Sequence, residues 1–167
     1  GHLGDQIEKY YGDNMVYSYD GDFPLGTGGA LKKAEPLLDD EFILINGDTY
    51  LNIDYHDLIS DFHKSNKLAM MVVYTKRKKR NDVMVKDKEI VRYDKKTRKN
   101  VNAVWTGVIV MKKEVLKLSP KKKIFSLEYE IFPKLIKKRQ LAAYITKNKF
   151  YPIGRPEQIE EFYQSFQ

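Results

Sequence analysis

Residues 42–48 read FILINGD, an apolar run that ends in a carboxylate. The consecutive apolar residues Phe42 to Ile45 are typical of a strand that is covered on both faces. Asn46-Gly47-Asp48 predicts a loop directly after that strand, although the tripeptide is just as typical of an ordinary turn. In a parallel sheet, ligands bind outside the carboxyl ends of the strands, so the pattern places Asp48 where a site would form. A carboxylate there suits Mg²⁺, which needs only one or two protein carboxylates beside phosphate oxygens.

On both sides of this strand, short apolar runs alternate with amphipathic stretches. Further strands are predicted at 15–19, 68–74, 105–111 and 143–146, with a hairpin at 83–85 and 90–93. Helices are predicted at 5–11, with Asp5 as N-cap, and at 29–38, 57–64, 113–118, 127–138 and 156–166. The alternation predicts an α/β fold, a Rossmann-like and mostly parallel sheet with helices on both faces and a small antiparallel hairpin. We expect residues 1–167 to form a single domain that is incomplete at its N-terminal side, because no strand precedes the first helix.

Composition excludes several classes of protein. At 167 residues with 42% hydrophobic content, the chain can bury a core and does not resemble a disordered protein. No apolar run approaches the roughly 20 residues that a bilayer-spanning helix needs. The chain has no cysteine, which rules out disulfides and thiolate metal sites and agrees with a cytoplasmic location. The histidines share no ligand spacing, which argues against zinc.

The net charge of +7 is concentrated in the runs Lys76–Arg80, Lys95–Lys99, Lys121–Lys123 and Lys137–Arg139. We interpret the last two runs as solvated surface. A nucleic-acid-binding module would need aromatic side chains interleaved with the basic runs on an exposed surface. The tyrosines instead fall mostly at predicted strand and helix positions. We therefore expect neither a nucleic-acid nor a membrane partner.

A second loop, residues 24–30 with the sequence PLGTGGA, leads into a predicted helix. Its glycines allow close approach of the backbone to a ligand, and free N–H groups at a helix start favour an anion or a nucleobase carbonyl. A tight strand-to-helix turn that uses glycine only for its backbone angles is the alternative. The loop matches neither the phosphate-binding Gly-Lys-Ser/Thr pattern nor a complete GxGxxG.

Taken together, the two loops and their spacing make the chain recognisable. It resembles the sugar-1-phosphate nucleotidyltransferase family, whose members synthesise nucleotide sugars such as GDP-mannose, dTDP-glucose and GDP-heptose. The segments that carry the resemblance follow one another in the family's order: 2–7, 11–13, 25–30, 42–48, 81–83, 93–95, 106–107, 126–128, 132–133 and 153–157.

The resemblance implies an activity and a set of site residues. The activity is transfer of a nucleotidyl group from a nucleoside triphosphate to a sugar 1-phosphate, with release of pyrophosphate and with Mg²⁺ as cofactor. The implied nucleotide-binding residues are Leu25, Gly26, Thr27 and Gly28. The implied catalytic residues are Asp48, which would also bind the metal, and Lys95, which would contact the sugar phosphate. The implied sugar-binding residues are Asp94, Trp105 and Gly107.

Three departures from the family pattern leave an alternative open. Members of the family hold the triphosphate with a glycine-rich signature that lies upstream of the early helix. Residues 1–167 contain no counterpart of this signature, so we expect that this chain alone does not complete the reaction. Pro152 stands where members often supply a second metal-binding carboxylate, which leaves Glu157, Asp20 or Asp22 as substitutes. Trp105 stands where asparagine or aspartate is common; stacking on a sugar ring is one interpretation, although a lone tryptophan at a strand start more often packs in the core.

The alternative is a catalytically inactive homologue that binds a nucleotide or nucleotide sugar. A glycosyltransferase would instead be expected to carry a paired Asp-x-Asp, whereas Asn52-Ile53-Asp54 has a single carboxylate. Unsatisfied strand edges would favour a homo-oligomer.

Overall fold

The computed structural model of the protein describes residues 3–76 and 81–166. Its α-helices are α1 (Gly4–Tyr11), α2 (Gly26–Lys33), α3 (Tyr55–Ser65), α4 (Phe132–Lys137) and α5 (Pro156–Gln164). Its strands are β1 (Glu41–Ile45), β2 (Thr49–Leu51), β3 (Ala69–Tyr74), β4 (Val83–Lys86), β5 (Glu89–Tyr93), β6 (Val104–Lys112), β7 (Leu141–Thr146) and β8 (Phe150–Pro152). His2 and most of the basic run Lys76–Arg80, namely residues 77–80, lie outside the described residues.

The main sheet has six strands in the order β1-β6-β3-β7-β5-β4. The α/β class and the β4–β5 hairpin are confirmed, but the expectation of a mostly parallel sheet is corrected, since only the β3–β7 pair is parallel. The cause is β6, which lies between β1 and β3 and runs antiparallel to both. Strands β1, β3 and β7 therefore still point the same way, and their carboxyl ends share one edge of the sheet.

Helices cover both faces of this sheet because the strand residues alternate between two apolar clusters. Met70 and Val72 of β3 pack with Leu58 and Phe62 of α3 on one face. Met71 of β3 belongs to the cluster on the other face, which includes residues of α2 and α4. The predicted arrangement of helices on both faces is confirmed.

Several predicted boundaries differ in the structure. Residues 15–19 do not form a strand; the hydroxyl groups of Tyr17 and Tyr19 instead donate to the Gly12 carbonyl and the Glu8 carboxylate. Asp5 lies in the first turn of α1 and is not its N-cap. The sequence also did not indicate the small antiparallel pair β2–β8. None of the described helices combines the length and apolar character needed to cross a membrane.

Helix α2 begins at Gly26, three residues before the predicted start at Gly29. The predicted loop residues Gly26 to Gly28 therefore form the first turn of the helix. Their N–H groups are therefore first-turn groups without acceptors inside the helix, and can donate to other parts of the protein or to a ligand.

Candidate functional site

Asp48 lies just beyond the carboxyl end of β1, as the sequence predicts. The turn that carries it is anchored to β6, because the N–H of Asn46 donates to the Gly107 carbonyl at 2.9 Å. The N–H of Thr49 donates back to the Asn46 carbonyl at 3.3 Å, which closes the turn. Asp48 is exposed, and its carboxylate accepts a hydrogen bond from the Thr49 hydroxyl at 3.3 Å. The side chain is thus held at the sheet edge but remains open to a ligand.

The segment after β8 closes over Asp48. The N–H of Ile153 donates to the Asp48 carbonyl at 2.7 Å. A side chain at Gly154 would place its Cβ 3.3 Å from Oδ2 of Asp48, so glycine leaves the carboxylate uncovered. Pro152, which stands where the family often has a second carboxylate, pairs with Thr49 across β2 and β8. Asp48 therefore has no carboxylate partner at that position.

Gly107 and Asp48 are brought to the same edge by close packing of β6 on the turn. Gly107 has φ of 88°, and a Cβ there would lie 3.1 Å from Cβ of Asn46 and 3.2 Å from the Thr49 hydroxyl oxygen. Glycine at this position serves the close approach of two backbones. The predicted sugar-binding role of Gly107 remains a prediction, and its place beside the Asp48 turn is compatible with it.

The structure corrects the expectation for Trp105. Its side chain is buried, and its indole N–H donates to the Val108 carbonyl at 3.1 Å. Its ring meets those of Phe132 and Tyr93 edge-on, with centroid distances of 5.2 and 6.4 Å. Core packing accounts for this tryptophan, since both its apolar body and its polar atom have partners inside the protein.

The glycine-rich segment is less free than the sequence suggested. The N–H groups of Gly28 and Gly29 both donate to the Phe125 carbonyl, at 3.0 and 3.1 Å. A Cβ at Gly28 would lie 2.4 Å from the Phe125 ring. These glycines therefore permit close packing, which was the alternative interpretation of the loop. Gly26 also lies close to this loop, since a Cβ there would lie 2.7 Å from the Phe125 carbonyl oxygen. Gly26 and Thr27 are nevertheless exposed in the first turn of α2, where helix N–H groups lack intrahelical acceptors.

Glu128 connects this first turn to the other side of the site. One oxygen of its carboxylate, Oε2, accepts hydrogen bonds from the hydroxyls of Ser126 at 2.6 Å and Thr27 at 2.7 Å. The Thr27 hydroxyl in turn accepts from the N–H of Leu127 at 3.0 Å. Burial alone would raise the pKa of Glu128, but the hydroxyl donors Ser126 and Thr27, a backbone hydrogen bond and the charge of Lys95 together lower that pKa. Glu128 also sits in a π-helical turn, Leu127–Ile131, a local geometry that is frequent at functional sites.

Lys95 and Asp94 lie in the turn that follows β5. Lys95 is exposed, and its positive charge favours the ionised forms of Asp82 and Glu128. The Asp94 carboxylate accepts from the Thr97 side chain and backbone and from Arg92, which together hold its pKa well below the usual range. Asp94 therefore stabilises the turn that presents Lys95, and its carboxylate is already occupied by protein donors.

Comparison with known proteins places this site in a family. The chain matches the nucleotidyl transferase family model over residues 5–166. The chain belongs to this family.

Three relatives illustrate the similarity. Mannose-1-phosphate guanyltransferase 2 of Candida glabrata is 31% identical over 162 residues, which cover 91% of this chain and 44% of that protein. The D-glycero-alpha-D-manno-heptose 1-phosphate guanylyltransferase of Aneurinibacillus thermoaerophilus is 24% identical, with 100% and 76% covered. The crystal structure of HddC from Yersinia pseudotuberculosis complexed with GMP-PN matches with a TM-score of 0.76 and 26% identity, covering 98% of this chain and 75% of that one. The chain spans less than half the length of the Candida glabrata relative.

Asp48 suits a divalent metal that is bound together with phosphate oxygens. Among the described residues, no group of three or more His, Cys, Asp or Glu side chains could hold a metal by itself. Magnesium keeps several waters and takes one or two carboxylates plus phosphate oxygens. An exposed carboxylate flanked by Gly154, with a hydroxyl donor on one oxygen, fits an ion that arrives with the nucleotide.

Two further residues near the site were given no role from the sequence. Glu128 was noticed as part of the resemblance, but its contact with Thr27 spans 101 residues and leaves no local pattern. Asp82 is buried beside the N–H of Trp105, which donates to its Oδ1 at 2.9 Å. Burial raises the pKa of Asp82, although the Trp105 N–H and the charge of Lys95 act in the opposite direction. Asp82 directly precedes β4, and nothing in the neighbouring sequence indicates that its carboxylate is buried.

Proposed function

We propose that this protein takes part in transfer of a guanylyl group from guanosine triphosphate to a sugar 1-phosphate, forming a nucleotide sugar and pyrophosphate. The observation that carries the proposal is the meeting of the Asp48 turn with Gly107 at the edge shared by the carboxyl ends of β1, β3 and β7. The guanine assignment is supported by the relatives, two of which are named as guanylyl or guanyl transferases. One domain spanning residues 1–167 and a cytoplasmic location belong to the same proposal.

In the proposed reaction, an oxygen of the sugar phosphate attacks the α-phosphorus of the triphosphate, and the bond from that phosphorus to the pyrophosphate oxygen breaks. Catalysis of this kind is mostly positioning and neutralisation of charge. Asp48 would hold Mg²⁺, which supplies positive charge to the phosphate oxygens. Lys95 would neutralise the sugar phosphate from the turn that Asp94 stabilises.

Base recognition is proposed for the exposed first turn of α2. The backbone N–H groups of Gly26 and Thr27 would donate to the guanine carbonyl, while those of Gly28 and Gly29 hold the turn against Phe125. The Glu128 carboxylate accepts a hydrogen bond from the Thr27 hydroxyl and interacts electrostatically with Lys95. It would therefore hold Thr27 on the nucleotide side and Lys95 on the sugar side in a fixed relative position. The sugar ring would lie near Gly107.

A second candidate function is nucleotide-sugar binding without catalysis. Two observations favour it: Pro152 lies opposite Thr49 where a second metal ligand is common in the family, and the Asp94 carboxylate is engaged by Thr97 and Arg92. Both candidates predict nucleotide binding. They differ in whether pyrophosphate is released.

The test is thermal denaturation with GTP, ATP, CTP, UTP and dTTP, each with and without Mg²⁺. A ligand at about 100 times its Kd stabilises the folded state by about 2.7 kcal/mol, which corresponds to about 5–10 °C for a chain of this size. We expect GTP with Mg²⁺ to give the largest shift and Asp48→Asn to lose the part that depends on magnesium. Asp39→Asn, an exposed carboxylate before the opposite end of β1, is the matched control and should keep the full shift.

Equal shifts for all five nucleotides would contradict the guanine assignment. Identical behaviour of the Asp48 and Asp39 variants would contradict the metal site. Release of pyrophosphate from GTP and a sugar 1-phosphate would establish the transferase and exclude the second candidate, and it would also overturn the expectation that residues 1–167 alone do not complete the reaction.

A further inference from the structure

A cavity of about 460 Å³ lies between α2 and the loop 120–125, and the proposed reaction makes no use of it. Its charged lining consists of Lys32, Lys33, Lys121, Lys122, Lys123 and Asp20. The lysines come from two separate parts of the chain, the last turn of α2 and the run Lys121–Lys123. This run was interpreted from the sequence as solvated surface. The structure leaves these three lysines exposed, as interpreted, and also places them along the wall of a cavity whose size is typical of small-molecule sites.

The lysine run is held against α2 by its backbone. A Cβ at Gly29 would lie 2.3 Å from the Lys123 carbonyl oxygen, so the loop rests directly on the helix. The N–H of Phe125 donates to the Leu25 carbonyl at 3.0 Å, and the Phe125 carbonyl accepts from Gly28 and Gly29. Hydrogen bonds at both the N–H and the carbonyl of Phe125 therefore fix the backbone next to the lysine run beside α2.

The charges around the cavity are not balanced. Lys32 pairs with Glu35 and Lys122 pairs with Glu130. For Lys33, Lys121 and Lys123, the described part of the chain provides no ion-pair partner. The one carboxylate in the lining, Asp20, accepts a hydrogen bond from the N–H of Leu25 at 3.2 Å. Ammonium groups gathered around one cavity repel each other, and a bound anion would relieve that repulsion.

The rest of the lining is apolar. Phe125 is 6% exposed, and Leu25 and Pro120 also line the cavity. A ligand that fits has negative charge at one end and an apolar or flat portion at the other. Phosphate esters of small organic molecules have this character, and ammonium groups bind phosphate strongly through charge-assisted hydrogen bonds.

We propose that this cavity is an anion site for a phosphorylated small molecule, with the phosphate held by Lys33, Lys121 and Lys123 and the remainder against Leu25 and Phe125. The Phe125 carbonyl is the acceptor for the amides of Gly28 and Gly29, and Gly29 and Phe125 both line the cavity, so a ligand in the cavity would lie against these hydrogen bonds. Any effect on nucleotide binding rests on the proposed function. The anion site itself does not.

The experiment titrates inorganic pyrophosphate, without Mg²⁺ or nucleotide, into ¹⁵N-labelled protein and follows the backbone amides by NMR. We expect saturable shifts at Gly28, Gly29 and Lys123. The double variant Lys121→Gln/Lys123→Gln should raise the dissociation constant about tenfold, since loss of each exposed ion pair with the phosphate should weaken binding about threefold. The double variant Lys137→Gln/Lys138→Gln removes the same charge from the end of α4 and should leave the constant nearly unchanged. All four lysines are exposed, so neither variant is expected to disturb folding.

Equal weakening in both double variants would show a general effect of net charge and overturn the proposal. Absence of saturation in the millimolar range would do the same. Shifts centred on Asp48 and Gly107 would place pyrophosphate at the proposed catalytic edge and also overturn it. Repeating the titration with Asp48→Asn separates the two ideas, because the shifts at Gly29 should persist in that variant even if the proposed function fails.

Discussion

Gly29→Ala tests how α2 packs on the loop 120–125. An alanine Cβ at this position would lie 2.3 Å from the Lys123 carbonyl oxygen, whereas ordinary van der Waals contact begins at 3.4 Å. The backbone of Lys123 would have to retreat by 1.1 Å, the difference between these two distances. Backbone is the hardest part of a protein to move, and Phe125 lies only two residues away.

The magnitude follows from the hydrogen bonds that such a retreat would break. The Phe125 carbonyl accepts from Gly28 at 3.0 Å and from Gly29 at 3.1 Å, and both distances would exceed hydrogen-bonding range. Losing them costs about 2 kcal/mol at about 1 kcal/mol each. Overpacking that remains adds about 1 kcal/mol, and the better helix propensity of alanine offsets about 1 kcal/mol. We expect a net loss of about 2 kcal/mol in the free energy of unfolding.

Urea denaturation measures this loss directly. With a slope of about 2 kcal/mol per molar, the midpoint should fall by about 1 M. Gly47→Ala is the matched control, because a Cβ there meets nothing within 4 Å and stability should change by less than about 0.5 kcal/mol. If Gly29→Ala is as stable as the wild type, the loop does not rest on α2, and both the packing interpretation of these glycines and the lysine-lined cavity are refuted.

Three further variants test other parts of the molecule. Asp82→Asn keeps the acceptor for the Trp105 N–H and removes a buried charge. Because burial raises the pKa of Asp82, its ionised form destabilises the fold, and the variant should unfold at a higher urea concentration than the wild type at pH 7. The difference should vanish below the ordinary carboxyl pKa of about 3.9, where Asp82 is protonated in both the folded and the unfolded state. Asp94→Asn should have the opposite effect, because hydrogen bonds from Thr97 and the ion pair with Arg92 lower the pKa of Asp94. The melting temperature of the variant, followed by circular dichroism, should be lower than that of the wild type at pH 7 and equal to it in acid, where the wild-type carboxylate is protonated. Phe62→Ala removes a ring that is 1% exposed beneath α3 and should cost about 3–5 kcal/mol in urea denaturation.

Much of the local structure follows from residue patterns that act over a few positions. The run Phe42 to Ile45 ends in Asp48, and the structure has a strand there followed by an exposed carboxylate at the predicted edge. The helix at 55–65 and the hairpin at 83–93 also follow from periodicity. Predictions of this kind succeed because side-chain alternation along a helix or strand is a property of the chain segment itself.

The predictions that were wrong concern features that depend on contacts between distant segments of the chain. The segment 15–19 is a short, mostly apolar run that predicts a strand, but a strand exists only when a neighbour supplies hydrogen bonds. The hydroxyls of Tyr17 and Tyr19 contact the Gly12 carbonyl and the Glu8 carboxylate instead. The direction of β6 depends on which strands it pairs with, so a mostly parallel sheet was expected where most pairs are antiparallel. The glycines at 28 and 29 signalled close approach, and only the fold shows that Phe125 and Lys123 are what approach them.

The sequence by itself determined the α/β class, the strand that ends just before Asp48 and the family to which the chain is similar, but not that this strand lies at the sheet edge and is only partly buried. Only the tertiary structure decided that Thr27 contacts Glu128 across 101 residues, that Trp105 is enclosed and that Lys121–Lys123 lines a cavity. The physical reason is that periodicity and turn chemistry depend on neighbouring residues in the chain, whereas burial, ion pairing and hydrogen-bond partners depend on which distant segments come together.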